Sequence, residues 1–324
     1  MQRREFITLL GGMAAVWPFA ARGQLTPAEQ VAPPVIGFLN DLHPDRWSSA
    51  VTALREALSD AGYVEGRNVA FAYRWTEGRR ERLPTLAADL VRARVGVIVA
   101  SGHTAAAIAA RAATSDIPIV FITGDDPVKF GLVANLERPG VNATGIYLAN
   151  SADDGKIRQG LLRQLVPNAS VFFGLNIADS SSVVWESDPE EAIARVFGTT
   201  QTFQINPALT LPTVRSLTIT SGPFLDSTRR NHLISLVARK GVPALYNWRD
   251  FAEAGGLMSY GPSLTDLYVR MGNYVARILR GESPADLPVL KPTRFETVVN
   301  LRTAAELGIK VPPALLDRAD EVIQ

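Results

Sequence analysis

Cysteine is absent from the 324-residue chain. Its absence excludes a disulfide framework, thiol catalysis and a lipid-modified cysteine. Histidine is scarce, with His43, His103 and His232 alone. No two of them stand at helical metal-pair spacing, which argues against a zinc or iron site, and no cofactor is expected. Net charge is almost nil: 33 Lys and Arg face 32 Asp and Glu, a formal +1. With no basic run, neither nucleic acid nor anionic lipid is an expected partner. Glycine-rich phosphate loops are missing, since Gly11-Gly12 lies in an N-terminal apolar stretch and Gly255-Gly256 precedes a strand rather than a helix. A Gly-x-Ser-x-Gly elbow is lacking as well, so Ser101 or Ser259 with His103 and Asp125 is a weak basis for a hydrolase, and no enzyme is expected.

What the N-terminus does have is an export pattern. Arg3 and Arg4 form a positive head, residues 6–21 are mostly apolar, and Ala21-Arg22-Gly23 is a small-x-small exit before Gln24. The apolar part is short of the roughly 20 residues that span a bilayer and carries Gly11, Gly12 and Pro18, so it reads as a cleaved signal, residues 1–23. Gln2-Arg3-Arg4-Glu5-Phe6-Ile7 is similar to a twin-arginine signal, with Gln2 and Thr8 in place of the usual Ser and Lys. The expected location is the periplasm. Cleavage removes Arg3, Arg4, Arg22 and Glu5, a net +2, which turns +1 into −1 for the mature chain.

After a linker at residues 24–33, strands and helices alternate. Apolar runs at 35–39, 68–75, 96–100 and 117–122 read as strands, with helices at 47–61, 84–93 and 104–113 between or after them. Continuous apolar strands separated by helices indicate a parallel sheet covered on both faces. The pattern restarts with a helix at 154–165, a strand at 171–175, a helix at 188–197, and strands at 201–205 and 217–220. A helix at 226–240 and a strand at 244–246 follow. Further strands at 256–260 and 295–300, with a helix at 264–280, return to complete the lobes, and residues 280–292 make the last crossover. The fold class is thus α/β and two-lobed: lobe 1 from 34–145 plus 257–290, lobe 2 from 146–256 plus 291–324, with a hinge of several crossing segments.

In such sheets ligands sit where strand carboxyl ends meet helix amino ends. Strand one exits into Asn40-Asp41, and strand three into Ser101-Gly102-His103-Thr104, a turn suited to a carboxylate through backbone N–H groups, hydroxyls and the helix dipole. Strand four exits into Gly124-Asp125-Asp126-Pro127; Asp126 reads as an N-cap before Pro127, leaving Asp125 to meet an amine. In the second lobe Phe224, Tyr246 and Tyr260 stand near strand exits, a set suited to a flat or ring-bearing ligand.

Several stretches together resemble one family. They are Glu65-Gly66-Arg67-Asn68-Val69 with Tyr73-Arg74-Trp75, Ser101-Gly102-His103-Thr104-Ala105-Ala106, and Ile117-Pro118-Ile119-Val120-Phe121 leading into Gly124-Asp125-Asp126-Pro127-Val128. Further on come Leu136-Glu137-Arg138-Pro139-Gly140-Val141-Asn142-Ala143-Thr144-Gly145, Pro284-Ala285-Asp286-Leu287-Pro288-Val289 and Phe295-Glu296-Thr297-Val298-Val299-Asn300-Leu301. They resemble the tryptophan/aromatic-type substrate-binding proteins of ABC transporters, which have a type I periplasmic-binding fold, and the likeness covers most of the chain. The resemblance implies two α/β lobes joined by three crossovers. It implies contacts from Asn40, Ser101, Thr104, Asp125, Tyr147, Phe224, Tyr246 and Tyr260, and partnership with an inner-membrane permease and its ATPase. The expected protein is a monomer that captures a small carboxylated solute, aromatic or amino-acid-like, by hinge closure. A solute-sensing periplasmic module and a periplasmic serine hydrolase are the alternatives. Residues 170–216 depart from the family pattern, with Asn176-Ile177 where Asn-Pro is customary. Intact-mass analysis of protein recovered from the periplasm is expected to place the mature N-terminus at Gln24; an uncleaved chain contradicts the export reading.

Overall fold

The computed structural model describes residues 33–42, 44, 48–148, 152–167, 172–177, 216–221 and 227–324. The expected signal, Phe224, the expected helix at 188–197 and the expected strand at 201–205 lie outside the described residues.

The first sheet is built from β1 (Val35–Asn40), β2 (Ala70–Trp75), β3 (Val97–Ser101), β4 (Ile119–Thr123) and β5 (Ala143–Tyr147), in the order β2-β1-β3-β4-β5 and parallel throughout. Helices α1 (Ser48–Asp60), α2 (Leu83–Arg92) and α3 (Thr104–Ala113) connect its first four strands. Both faces of the strands are covered. Ile36, Phe38, Val97 and Val99 point to one core, while Leu39, Ile98 and Ala100 meet Leu86, Leu90 and Ala107 in another. This two-sided burial is why the strands read as unbroken apolar runs. Strand β5 is not marked in the sequence, because Ala143-Thr144-Gly145 lacks the run of branched side chains that announces the others.

The second sheet has the order β11-β10-β9-β8-β7-β6 among the described residues. Its strands are β6 (Phe172–Ile177), β7 (Ser216–Ser221), β8 (Ala244–Tyr246), β9 (Met258–Pro262), β10 (Phe295–Asn300) and β11 (Glu321–Ile323). Helices α4 (Ala152–Leu165), α5 (Ser227–Arg239) and α6 (Arg249–Glu253) accompany the first of these strands. From α4, Leu161, Leu162 and Leu165 pack on Leu245, Met258 and Val299. The β9–β10 pair is antiparallel, unlike the other pairs.

One sequence assignment is corrected. The expected boundaries put residues 257–262 in the first lobe, yet β9 hydrogen-bonds to β8 and β10, pairing Ser259 with Tyr246 on one side and with Val298 on the other. The return to the first lobe starts after β9, with α7 (Leu264–Leu279). This helix places Leu267, Tyr268, Met271 and Val275 in the core that holds Ile36, Phe38 and Leu54. Leu290 then bridges to Ile146 beside β5 before the chain leaves again for β10. The chain therefore passes between the two sheets three times: after β5, after β9 and after Leu290. Two short helices, α8 (Leu301–Glu306) and α9 (Pro313–Leu316), close the C-terminal region.

Helix α7 lies close against α1 because residue 272 is glycine. A Cβ there would stand 2.8 Å from the Ala57 Cβ and 2.9 Å from the Leu54 carbonyl oxygen. Replacing Gly272 with leucine is expected to overpack this crossing and lower stability by about 3 kcal/mol. A urea titration checks it: the midpoint falls at an unchanged slope.

Candidate functional site

The carboxyl edge of the first sheet is organised around one buried carboxylate. Asp41 comes directly after β1, and its side chain is closed to solvent. Its Oδ1 accepts the His103 backbone N–H at 2.9 Å, and its Oδ2 lies 2.6 Å from His103 Nδ1 and 3.3 Å from Arg80 Nε. Removal from water weakens the hydration of the carboxylate, so both oxygens are met by donors instead. Gly102 makes this approach possible. Its φ is +102°, and a Cβ at that position would lie 2.0 Å from Asp41 Oδ1.

Around the carboxylate, the expected ligand residues are bonded to other groups of the protein. Asn40 accepts the Leu42 N–H at 2.9 Å and donates to Ser101 Oγ at 3.2 Å. The Ser101 hydroxyl is also bonded to the Tyr268 hydroxyl of α7, 167 residues away in sequence. His103 is the extended N-cap of α3, but its ring turns to Asp41 rather than to the helix end. Thr104 Oγ1 is 2.6 Å from Thr123 Oγ1. Thr123 in turn donates to the Asp125 carbonyl at 3.0 Å and accepts the Asp125 N–H at 3.1 Å, fixing the loop after β4. The structure thus brings Asn40, Ser101, His103 and Thr104 together, and each is engaged by other groups of the protein. The Ser101–Thr104 turn, which in sequence has the makings of a carboxylate receiver, is internally braced.

Asp125 is different. It is half-buried, and its carboxylate has no hydrogen-bond partner among the described residues. Asp126 does cap, accepting the N–H of Val128 at 2.9 Å, although residues 127–130 form a turn rather than a helix. Tyr147, at the end of β5, stands near both acids: burial first, then the charges of Asp126 and Asp125, raise its hydroxyl above the ordinary tyrosine value. Thr76, whose N–H donates to the Asn40 carbonyl at 3.0 Å, carries a buried hydroxyl with no partner among the described residues.

In the second sheet Tyr246 is corrected. It is 1% exposed and stacks on Phe251 with ring centroids 4.9 Å apart, which makes it core rather than a cleft residue. Tyr260, in the middle of β9, is half-buried and stacks on Phe295 at 5.7 Å. Burial raises its hydroxyl, as does Asp154, while Arg158 and Arg318 act the other way. Asp41, Arg80, Tyr268 and Arg158 are additions to the expected site. A readable signal exists for Arg158, since it falls three and four residues before Leu161 and Leu162 on the apolar face of α4. None exists for Tyr268, which on sequence alone is one more apolar-face residue of a helix.

Among the described residues no group of three His, Asp or Glu side chains is placed to hold a metal, and no helix is long and apolar enough to cross a membrane. The family described as ABC transporter substrate binding protein matches residues 36–181 and 226–323. The break falls across much of the segment that departs from the family pattern in sequence. A relative named tyrosine-binding protein, from Clostridioides difficile (strain R20291), is 25% identical over 274 residues, 79% of this chain and 75% of its own. Among solved structures, a conserved domain protein from Vibrio cholerae superposes with a TM-score of 0.73 at 23% identity, covering 89% of this chain and 99% of that one. An ABC domain from Streptococcus pneumonia in complex with L-Trp gives 0.68 at 24% identity, covering 90% of this chain and 100% of that one. These likenesses establish the type I periplasmic-binding fold with its two lobes.

The buried phenols predict an alkaline sensitivity. Burial pushes the hydroxyls of Tyr246 and Tyr268 above the ordinary 10.0. Above that pH the unfolded chain releases protons that the folded chain retains, so stability falls as pH rises, by about 1.4 kcal/mol per unit for each such hydroxyl. Urea midpoints measured from about pH 9 to 11.5 are expected to drop, and less steeply in Tyr268→Phe.

Proposed function

The chain belongs to the ABC transporter substrate-binding protein family, and we propose that it is the periplasmic solute-binding component of an uptake transporter. It captures a small carboxylated solute, aromatic or amino-acid-like. Residues 1–23 direct export and are cleaved. The mature monomer then delivers its solute to a permease driven by a partner ATPase, with no chemistry on the solute.

The observation that carries this reading is the Asp125 carboxylate. It stands at a strand carboxyl edge, half-buried beside Tyr147, with no partner among the described residues, while its loop is held by Thr123 and Thr104. A carboxylate fixed in place but left unpaired is suited to a cationic amine, since a charge-assisted bond gains most where water is excluded. Relatives named for tyrosine binding and complexed with L-Trp support an amino-acid solute with a ring. Mechanically, three chain crossings between the sheets allow the lobes to close about them, and a solute touching both edges favours the closed state by its extra contacts there.

Calorimetry of residues 24–324 against L-tyrosine, L-tryptophan, L-phenylalanine and branched-chain amino acids is the test. We expect binding to at least one aromatic acid, accompanied by a smaller radius of gyration in X-ray scattering. Asp125→Asn is expected to weaken that binding about tenfold or more at an unchanged melting temperature. Absence of both heat and compaction with every solute sinks the reading.

A further inference from the structure

Arg158 is a buried charge of the second lobe. It is 5% exposed, and among the described residues only the longer-range charges of Asp154 and Tyr260 act on its guanidinium. Asp154, one turn earlier on α4, contributes only a longer-range attraction, and burial lowers the arginine's proton affinity. A buried cation without a close partner is strongly unfavourable, and an arginine fork is suited to a planar carboxylate. Among the described residues no carboxylate takes that place.

Register shows where that partner would enter. Leu161, Leu162 and Leu165 of α4 face the core of the second lobe, and Arg158 continues the same face toward the helix start. That start comes after the first crossing from β5, so Arg158 stands at the end of the core nearest the first lobe. Tyr260 is at the same end, since β9 reaches its second crossing at Pro262 and the stacked Phe295 begins β10 after the third. The groups whose charges reach Tyr260 are Asp154, Arg158 and Arg318, two of them cationic. Position on the face, not only charge, therefore sets Arg158 beside an aromatic ring at the mouth of its lobe.

We infer that Arg158 is the carboxylate anchor of the second lobe, taking the anionic end of an α-amino acid whose ammonium end faces Asp125 in the first. This rests on the solute-binding reading above and sharpens it: opposite charges on opposite lobes select a zwitterion, and closure brings both ends under contact. The polar side chains of the Ser101–Thr104 turn, already engaged by other groups of the protein, then shape the cleft.

The test compares L-tyrosine with tyramine, which lacks only the carboxylate, by calorimetry on the wild-type protein and on Arg158→Gln and Arg158→Met. Wild type is expected to bind tyrosine about a hundredfold tighter than tyramine. Arg158→Gln is expected to lose about a hundredfold for tyrosine while leaving tyramine unchanged. Unliganded Arg158→Met is expected to melt no lower than wild type, because it removes a buried unpaired charge. Equal wild-type affinity for tyrosine and tyramine overturns the anchor without any variant, as does unaltered tyrosine binding by Arg158→Gln. If only uncharged solutes bind and compact the protein, solute uptake stands and the anchor falls; if nothing binds, both fall.

Discussion

The Asp41 carboxylate is the constraint on which the first lobe's edge depends. Taken out of water at the end of β1, it must have donors for both oxygens, and it draws them from two other segments: His103 at the start of α3, and Arg80 ahead of α2. Each demand propagates. The approach to residue 102 requires glycine, the His103 ring is turned away from capping, and Asn40 and Ser101 are left to bond each other. Ser101 then reaches Tyr268, which joins the helix of the returning chain to the strands that opened the lobe. In a low-dielectric setting such bonds reinforce one another, whereas loss of any one strands a buried polar group. The carboxyl edge is therefore a braced frame before any solute arrives.

That bracing gives the two edges different characters. On the first, nearly every polar side chain has an internal partner, and Asp125 is the charged group held in place without one among the described residues. On the second, Arg158 is buried near the Tyr260–Phe295 stack. A preorganised frame loses little freedom on binding, and on the proposed reading the open charges are what select the solute.

Much of the architecture is legible in the chain because its elements are locally encoded. Buried parallel strands such as β1, β3 and β4 announce themselves as apolar runs, and α3 and β10 fall where periodicity and helix-start signals place them. β5 escapes, its alanine, threonine and glycine carrying no such mark. β9 is visible as a strand but not as a member of the second lobe, because sheet membership is a matter of which edge hydrogen-bonds to which. Local pattern is silent about that.

The candidate site divides along the same line. Residue type and strand-exit position mark Asn40, Ser101, His103, Thr104 and Asp125 as neighbours in space, and the folded chain brings them to one edge. Type and position cannot tell a polar group that is open from one already paired. Tyr246 has the sequence position of a cleft aromatic and is core; Ser101 has that of a receiver and is bonded to a tyrosine 167 residues on. The spacing of Arg158 to Leu161 and Leu162 puts it on the apolar face of α4, but only packing shows that it is buried there. The sequence by itself determined the α/β alternation, the family and the chemistry available at each strand exit, since these follow from local periodicity and residue identity. Only the tertiary structure decided which of those groups are satisfied and which remain unpaired, because burial and hydrogen-bond partnership are set by segments far apart in the chain.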